Sequence, residues 1–200
     1  PARWAVAGHS AGGNLAPALA ADAEASGLPP FKAVLCVEPG KSWTIARRIA
    51  VGFGDPARIP AGTLLVAVAG DADRIVEDRD ARAIGQGAIQ VAAADKALVI
   101  MHSDRRGEME LKADHFAPCA FNAAYDSGER EDARRMGARI QELFGPEQGA
   151  PDIERARRTI NALDWYGCWK LLDGLTDAAW YDGRNREYAL GDTPQLRNSG

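Results

Sequence analysis

The chain is poor in cysteine, and the three it has form no pattern. Cys36, Cys119 and Cys168 are odd in number and lack metal-ligand spacing, which excludes a dense disulfide framework and a thiolate-rich zinc site. Cys36 sits in the apolar run 33–37 and reads as a small core residue. A Cys119–Cys168 bridge is the minority alternative to free thiols, so the cysteines leave the compartment open. Long apolar runs are also missing. The longest clean ones, such as Leu98-Val99-Ile100-Met101, are the size of a strand and far from a membrane span. No basic excess exists either: 24 Lys and Arg face 28 Asp and Glu, for a net charge of −4. This balance argues against a nucleic-acid surface, and the arginines alternate with acids over 130–135 as on a solvated helix face. No repeat or low-complexity tract occurs. The sequence begins with proline, has no methionine before Met101 and shows no charged-then-apolar leader, so it reads as a piece of a longer protein.

What is present is ordinary globular material. The 200 residues, 46% hydrophobic and 26% charged, suffice for one domain with a core. Short apolar runs over 4–7, 31–37, 63–69 and 97–102 read as strands. An Ala-rich stretch from Ser10 to about 25 and a second over 77–93 read as helices. Residues 41–59 suggest a short helix with loops, and 116–144 one or two helices ended by Gly145-Pro146. Strands alternating with helices predict a parallel sheet joined by right-handed crossovers. Ligands on such a sheet bind beyond the carboxyl ends of the strands. Chemistry is therefore expected just after Ala7, Val37, Ala69 and His102. Beyond Pro151 the character changes: Ile153, Ile160, Leu163, Leu171 and Leu175 roughly follow a helical stripe, with Trp165, Tyr166, Trp169, Trp180 and Tyr181 nearby.

Gly8-His9-Ser10-Ala11-Gly12 fits G-x-S-x-G between a strand and a helix. A sharp turn of this kind forces the serine into strained backbone angles and lifts its hydroxyl above the sheet. The residues two before and two after it, Gly8 and Gly12, are expected to need the absence of a side chain. Gly13 lets the helix pack closely, and the Ala11 N–H at the helix start is the natural oxyanion donor. Pro17 falls inside the predicted helix and predicts a kink there.

A serine nucleophile needs a base and an acid. After the third run comes Gly70-Asp71-Ala72-Asp73-Arg74-Ile75-Val76. Asp73 is the favoured acid, since Asp71 follows the strand too closely to reach across. Glu38, ending the second strand on the same rim, stays open as an alternative. Of three histidines, His9 is expected to point away from Ser10 into the turn. His102 ends the fourth strand. His115 follows a polar loop over 103–113 and completes the order Ser, Asp, His, which favours it as the base.

Together, Gly-His-Ser-Ala-Gly-Gly, Gly-Asp-Ala-Asp-Arg-Ile-Val and Ala-Asp-His-Phe-Ala-Pro resemble the α/β-hydrolase superfamily over residues 1 to about 145. The Ser-Ala-Gly-Gly form is closer to serine esterases and lipases than to haloalkane dehalogenases. The resemblance implies a partial α/β-hydrolase fold: four parallel strands, the fifth to eighth of the family sheet, with flanking helices. Residues 1–145 would be the C-terminal part of the catalytic domain; 146–200, a helical, aromatic-rich extension with no counterpart in the minimal fold, reads as packing against the outer helices, with a substrate lip as the alternative. It also implies Ser10 as nucleophile, Asp73 as acid, His115 as base and Ala11 as one oxyanion donor. The expected activity is hydrolysis of a small-molecule carboxylic ester through an acyl-enzyme, with no cofactor and no metal. An acyltransferase with the same triad, or a truncated non-catalytic piece, are the alternatives. Lacking the family's earlier strands, residues 1–200 alone are expected to be poorly soluble and nearly inactive.

Overall fold

Four apolar runs pair into one parallel sheet. The computed structural model describes residues 3–40, 52–107, 109–120 and 159–197, together with 135 and 138. β1 (Ala5–His9), β2 (Ala33–Val37), β3 (Leu64–Gly70) and β4 (Lys96–Met101) stand side by side in chain order. Their register sets Ala5 opposite Ala33, Ala33 opposite Leu64, and Leu65 opposite Lys96. Every residue of β2 and β3 is buried, which is why these runs are continuously apolar, whereas β1 and β4 are half-exposed edge strands. Because all four run the same way, their carboxyl ends open onto one rim.

The two faces of the sheet are covered differently. Side chains alternate along a strand, so Val34, Cys36, Leu65, Ala67 and Ala69 face one side. There they meet α1 (Ala11–Asp22) and α2 (Arg79–Gly87) through Ala16, Ala20, Ala81 and Ile84. The small residues of α1 let its axis lie close to the sheet. The helix runs unbroken through the buried Pro17, whose missing N–H leaves the Gly13 carbonyl without its helical donor. On the other side Leu35, Val37, Val66 and Val68 meet Leu171, Leu175 and Ala178 of α3 (Lys170–Trp180), followed by Ala189 and Leu190.

That second layer departs from the expectation that the C-terminal extension leans on outer helices. It packs on the sheet itself, and its leucines supply the buried contacts. Trp165, 55% exposed, and Tyr166, Trp169 and Tyr181 face outward. Residues Leu163–Trp169 wind as a π-helix before α3, which changes the angular spacing between the aromatics and the leucine stripe.

The region read as a plain polar loop contains a hairpin, β5 (Asp104–Arg106) against β6 (Met109–Leu111), turning at Gly107 with φ +64°. These strands are short and charged, so no apolar alternation announces them. Residues Ala117–Cys119 form one 3-10 turn. Of the short helix expected within 41–59, the described part holds one 3-10 turn, Pro56–Arg58, while 41–51, most of the helical stretch expected over 121–144, and Ile153 of the apolar stripe lie outside the described residues. Cys36, Cys119 and Cys168 are free thiols, and burial pushes Cys36 and Cys168 well above the usual thiol range. Among the described residues no helix is long and apolar enough to cross a membrane.

Candidate active site

Ser10 joins β1 to α1 with φ 56° and ψ −119°, a conformation L-residues adopt only under constraint. The constraint is visible: the Ser10 N–H donates to the Val37 carbonyl at 3.0 Å, tying the turn to the end of β2. A Cβ on Gly8 would lie 2.1 Å from the Gly12 carbonyl oxygen, so only glycine fits there. The matching expectation for Gly12 fails, because a Cβ on that residue meets nothing within 4 Å. The turn crowds its incoming side and leaves its outgoing side open. Gly13 has its own reason: a Cβ there would approach the Val37 carbonyl oxygen to 2.8 Å. Ala11 is the first residue of α1, so its N–H belongs to the unbonded donors of the helix start.

The His115 ring reaches back over the rim to this serine. Its Nε2 lies 2.9 Å from Ser10 Oγ, and its Nδ1 lies 2.8 Å from Asp73 Oδ2. With Nδ1–H donating to the carboxylate, Nε2 is left to accept the serine proton. Asp73 also accepts from the Ile75 and Val76 N–H groups at 2.8 and 3.1 Å. Burial works against its charge, but the bonds from His115 and these two N–H groups outweigh it and hold the carboxyl below its ordinary value. Hydroxyl, imidazole and carboxylate thus stand in series, an order able to move a proton off the oxygen and stabilise the resulting imidazolium.

Asp71 and His102 occupy each other instead. Asp71 Oδ2 is 3.2 Å from His102 Nδ1, and its other oxygen accepts from Ser103 Oγ at 2.6 Å. The His102 side chain is 76% exposed. Burial opposes the Asp71 charge, yet the bonds from Ser103 and His102 keep its carboxyl lowered. This link has a use further along the chain. Ser103 Oγ accepts from the Ala113 N–H at 3.0 Å, and the Ala113 carbonyl accepts from the Ala72 N–H at 3.0 Å. The segment entering His115 is therefore pinned through both backbone groups of Ala113. Ser103 carries no motif, and nothing in the sequence points to it.

Behind His115 lies a second set of groups. Glu38, fully buried, leaves β2 with φ 43°, and its Oε2 is 3.3 Å from His9 Nε2 and 4.0 Å from His115 Nδ1. His9 does not point away as expected. Its ring lies 4.8 Å from that of His115, and its Nε2–H donates to the His115 carbonyl oxygen at 2.7 Å. The reason is strand parity: His9 shares a face with Ala5, which packs into the layer of Leu35 and Val37. Cys119 Sγ sits 3.5 Å from His9 Nδ1. Burial disfavours the His9 imidazolium, but the contacts with Cys119 and Glu38 prevail and push it up to about 10. Burial likewise raises Glu38 above the ordinary carboxyl value, partly offset by His9.

His9, Glu38 and His115 offer three ligand atoms within 4.8 Å of one another, a spacing a cation could use. A metal there would have to take His115 Nδ1 from Asp73, so the geometry as it stands suits proton transfer and not ligation. Away from the rim, an open groove of about 680 Å³ runs along α3, lined among others by Trp165, Tyr166, Trp169 and Lys170. Its lining includes none of Ser10, Asp73 or His115.

A strained serine at a strand–helix turn on a parallel sheet, facing a histidine and an acid from later strand ends, defines a class of protein. The sequence profile of the alpha/beta hydrolase fold matches residues 1–101, half of the chain, and the protein belongs to that family. Ser10, Glu38 and Asp73 lie inside the matched span and His115 beyond it. Among curated proteins, none matches the chain.

Proposed function

We propose that this α/β-fold hydrolase is a serine esterase that cleaves carboxylic esters through an acyl-enzyme. Ser10 Oγ attacks the carbonyl carbon as His115 Nε2 takes its proton. Asp73 steadies the imidazolium, and the Ala11 N–H donates to the oxyanion. The imidazolium returns the proton to the departing alcohol. Water, deprotonated by His115, then attacks the acyl carbon and releases the acid and the serine. The observation that carries this reading is the unbroken series from Ser10 Oγ through both nitrogens of His115 to Asp73 Oδ2, at 2.9 and 2.8 Å. No part of the cycle calls for a metal or an organic cofactor.

Labelling with a fluorophosphonate tests the activated serine without knowledge of the natural ester. The expected result is stoichiometric labelling at Ser10, abolished in Ser10→Ala. Short-chain p-nitrophenyl esters should be hydrolysed, and the alanine variant should lose about 10⁶ in turnover while keeping its fold, since the hydroxyl sits on the rim and not in the core. Retention of most of the activity in that variant would remove Ser10 from the mechanism.

A further inference from the structure

A buried carboxylate with nothing to bond it demands an explanation. Glu38 is fully inaccessible, and neither of its oxygens has a well-directed hydrogen bond among the described residues. The nearest cationic group, His9 Nε2, approaches Oε2 to 3.3 Å but aims its N–H at the His115 carbonyl, 2.7 Å away. Glu38 also leaves its strand in a left-handed conformation, φ 43°, as Ser10 does at φ 56° one strand over. Two non-glycine residues at adjacent strand ends thus carry backbone strain. Such strain in a buried acid buys no core packing that leucine would not supply better.

We propose that Glu38 and His9 act as a positioning pair behind His115: the His9 N–H fixes the main chain of the base, and the Glu38 carboxylate faces its Nδ1 as a second acid. The inference rests on the serine-hydrolase reading above. Asp73 holds the ring by a direct bond at 2.8 Å, whereas Glu38 acts through space at 4.0 Å. At a fully buried group, away from bulk solvent, that separation still matters to an imidazolium. His9 sets its Nε2 3.3 Å from Glu38 Oε2 and spans the gap to the His115 carbonyl at 2.7 Å. Among the described residues, the titratable groups facing the pair are Asp73 from the loop after β3, His115 itself, Cys119 from the turn that follows, and Cys168 from the π-helical run.

The test is the pH dependence of fluorophosphonate labelling at Ser10 in the wild type, Glu38→Gln and His9→Gln. Labelling requires a neutral His115, so the midpoint of the acid limb reports how strongly the site favours the imidazolium. Glu38→Gln removes a negative charge beside Nδ1, and its midpoint should fall by about one pH unit with a lower plateau. His9→Gln keeps an N–H donor for the His115 carbonyl but removes the positive charge beside the base, so its midpoint should rise. Opposite shifts are the signature of charge acting on the base, since packing damage alone lowers the plateau of both and moves neither midpoint. Two unmoved midpoints, with the wild type labelled normally, overturn the positioning role. A wild type that is not labelled at any pH overturns the esterase reading instead. Should Glu38→Gln fail to fold by circular dichroism, the direction of the His9→Gln shift alone decides the matter.

Discussion

The loops after β2 and β3 each bring a carboxylate to the same imidazole, and the two environments could hardly differ more. Asp73 accepts from two backbone N–H groups and from His115, so its charge is stabilised by donors aimed at it. Its carboxyl is held down. Glu38 has one cationic neighbour, no directed donor among the described residues, and complete burial, and its carboxyl is pushed up. The lesson is that position on the rim does not by itself make an acid the direct partner of a base. Donors fixed by the local turn do, because they pay for the charge before the histidine arrives.

The sharpest way to break this comparison is to neutralise the directly bonded acid. Asp73→Asn keeps the shape of the loop but offers His115 an amide, which can hold the ring in the wrong tautomer. Ester hydrolysis should fall by about 10⁴. Steady-state turnover against Glu38→Gln settles which acid matters more. Full activity in Asp73→Asn with a collapse in Glu38→Gln would exchange their roles.

A smaller effect is expected where the two loops touch. A Cβ at Gly70 would lie 2.1 Å from the Ala113 carbonyl oxygen and 2.8 Å from Glu38 Oε1. Gly70→Ala must therefore displace the peptide that leads into His115 and press on Glu38 as well. We expect a loss of about 10² in turnover from a misplaced base, with a stability cost of about 1–3 kcal/mol. Melting and turnover measured on one preparation separate the two contributions. An unchanged rate would mean that the pinned peptide does not position His115.

The contrast between these loops also marks how far the sequence could be read. β1 to β4 were legible because β2 and β3 are apolar throughout, and the Gly8–Gly12 collision is written into the spacing of the turn. Ser10, Asp73 and His115 could be singled out, because each follows a strand or its return loop in a known order. The orientation of His9 was not legible. Parity tells which face a strand residue takes, but not that a returning loop will lay its own carbonyl against that face. Nor could the hairpin Asp104–Leu111 be foreseen, since it is held by Asp71, Ser103 and Ala113 and not by apolar alternation. The C-terminal helix was visible as a stripe of leucines, yet its partner was misjudged, because a stripe says that a face is buried and is silent on what buries it.

The smallest expected effect is on stability, and it sharpens the comparison because the two sites respond to opposite ends of the pH scale. Asp73 is held below its ordinary value of 3.8, so it adds stability above that value which is lost as pH falls through the folded pKa. His9 moves the other way, from 6.5 up to about 10. Its contribution is complete below pH 6.5 and drains away as pH climbs towards about 10. Glu38, also raised by burial, works in the same direction, since it holds its proton more tightly in the fold than in the unfolded chain and that contribution is lost as pH rises through its folded pKa. Thermal melts across pH should therefore show an alkaline decline in the wild type that is flatter in His9→Gln, and an acid decline that is flatter in Asp73→Asn. Lysines and tyrosines elsewhere titrate alike in all three proteins and cancel in the differences. Parallel curves on the alkaline side would mean that His9 is not held charged behind the base, and Glu38 would then face Nδ1 with no cation beside it.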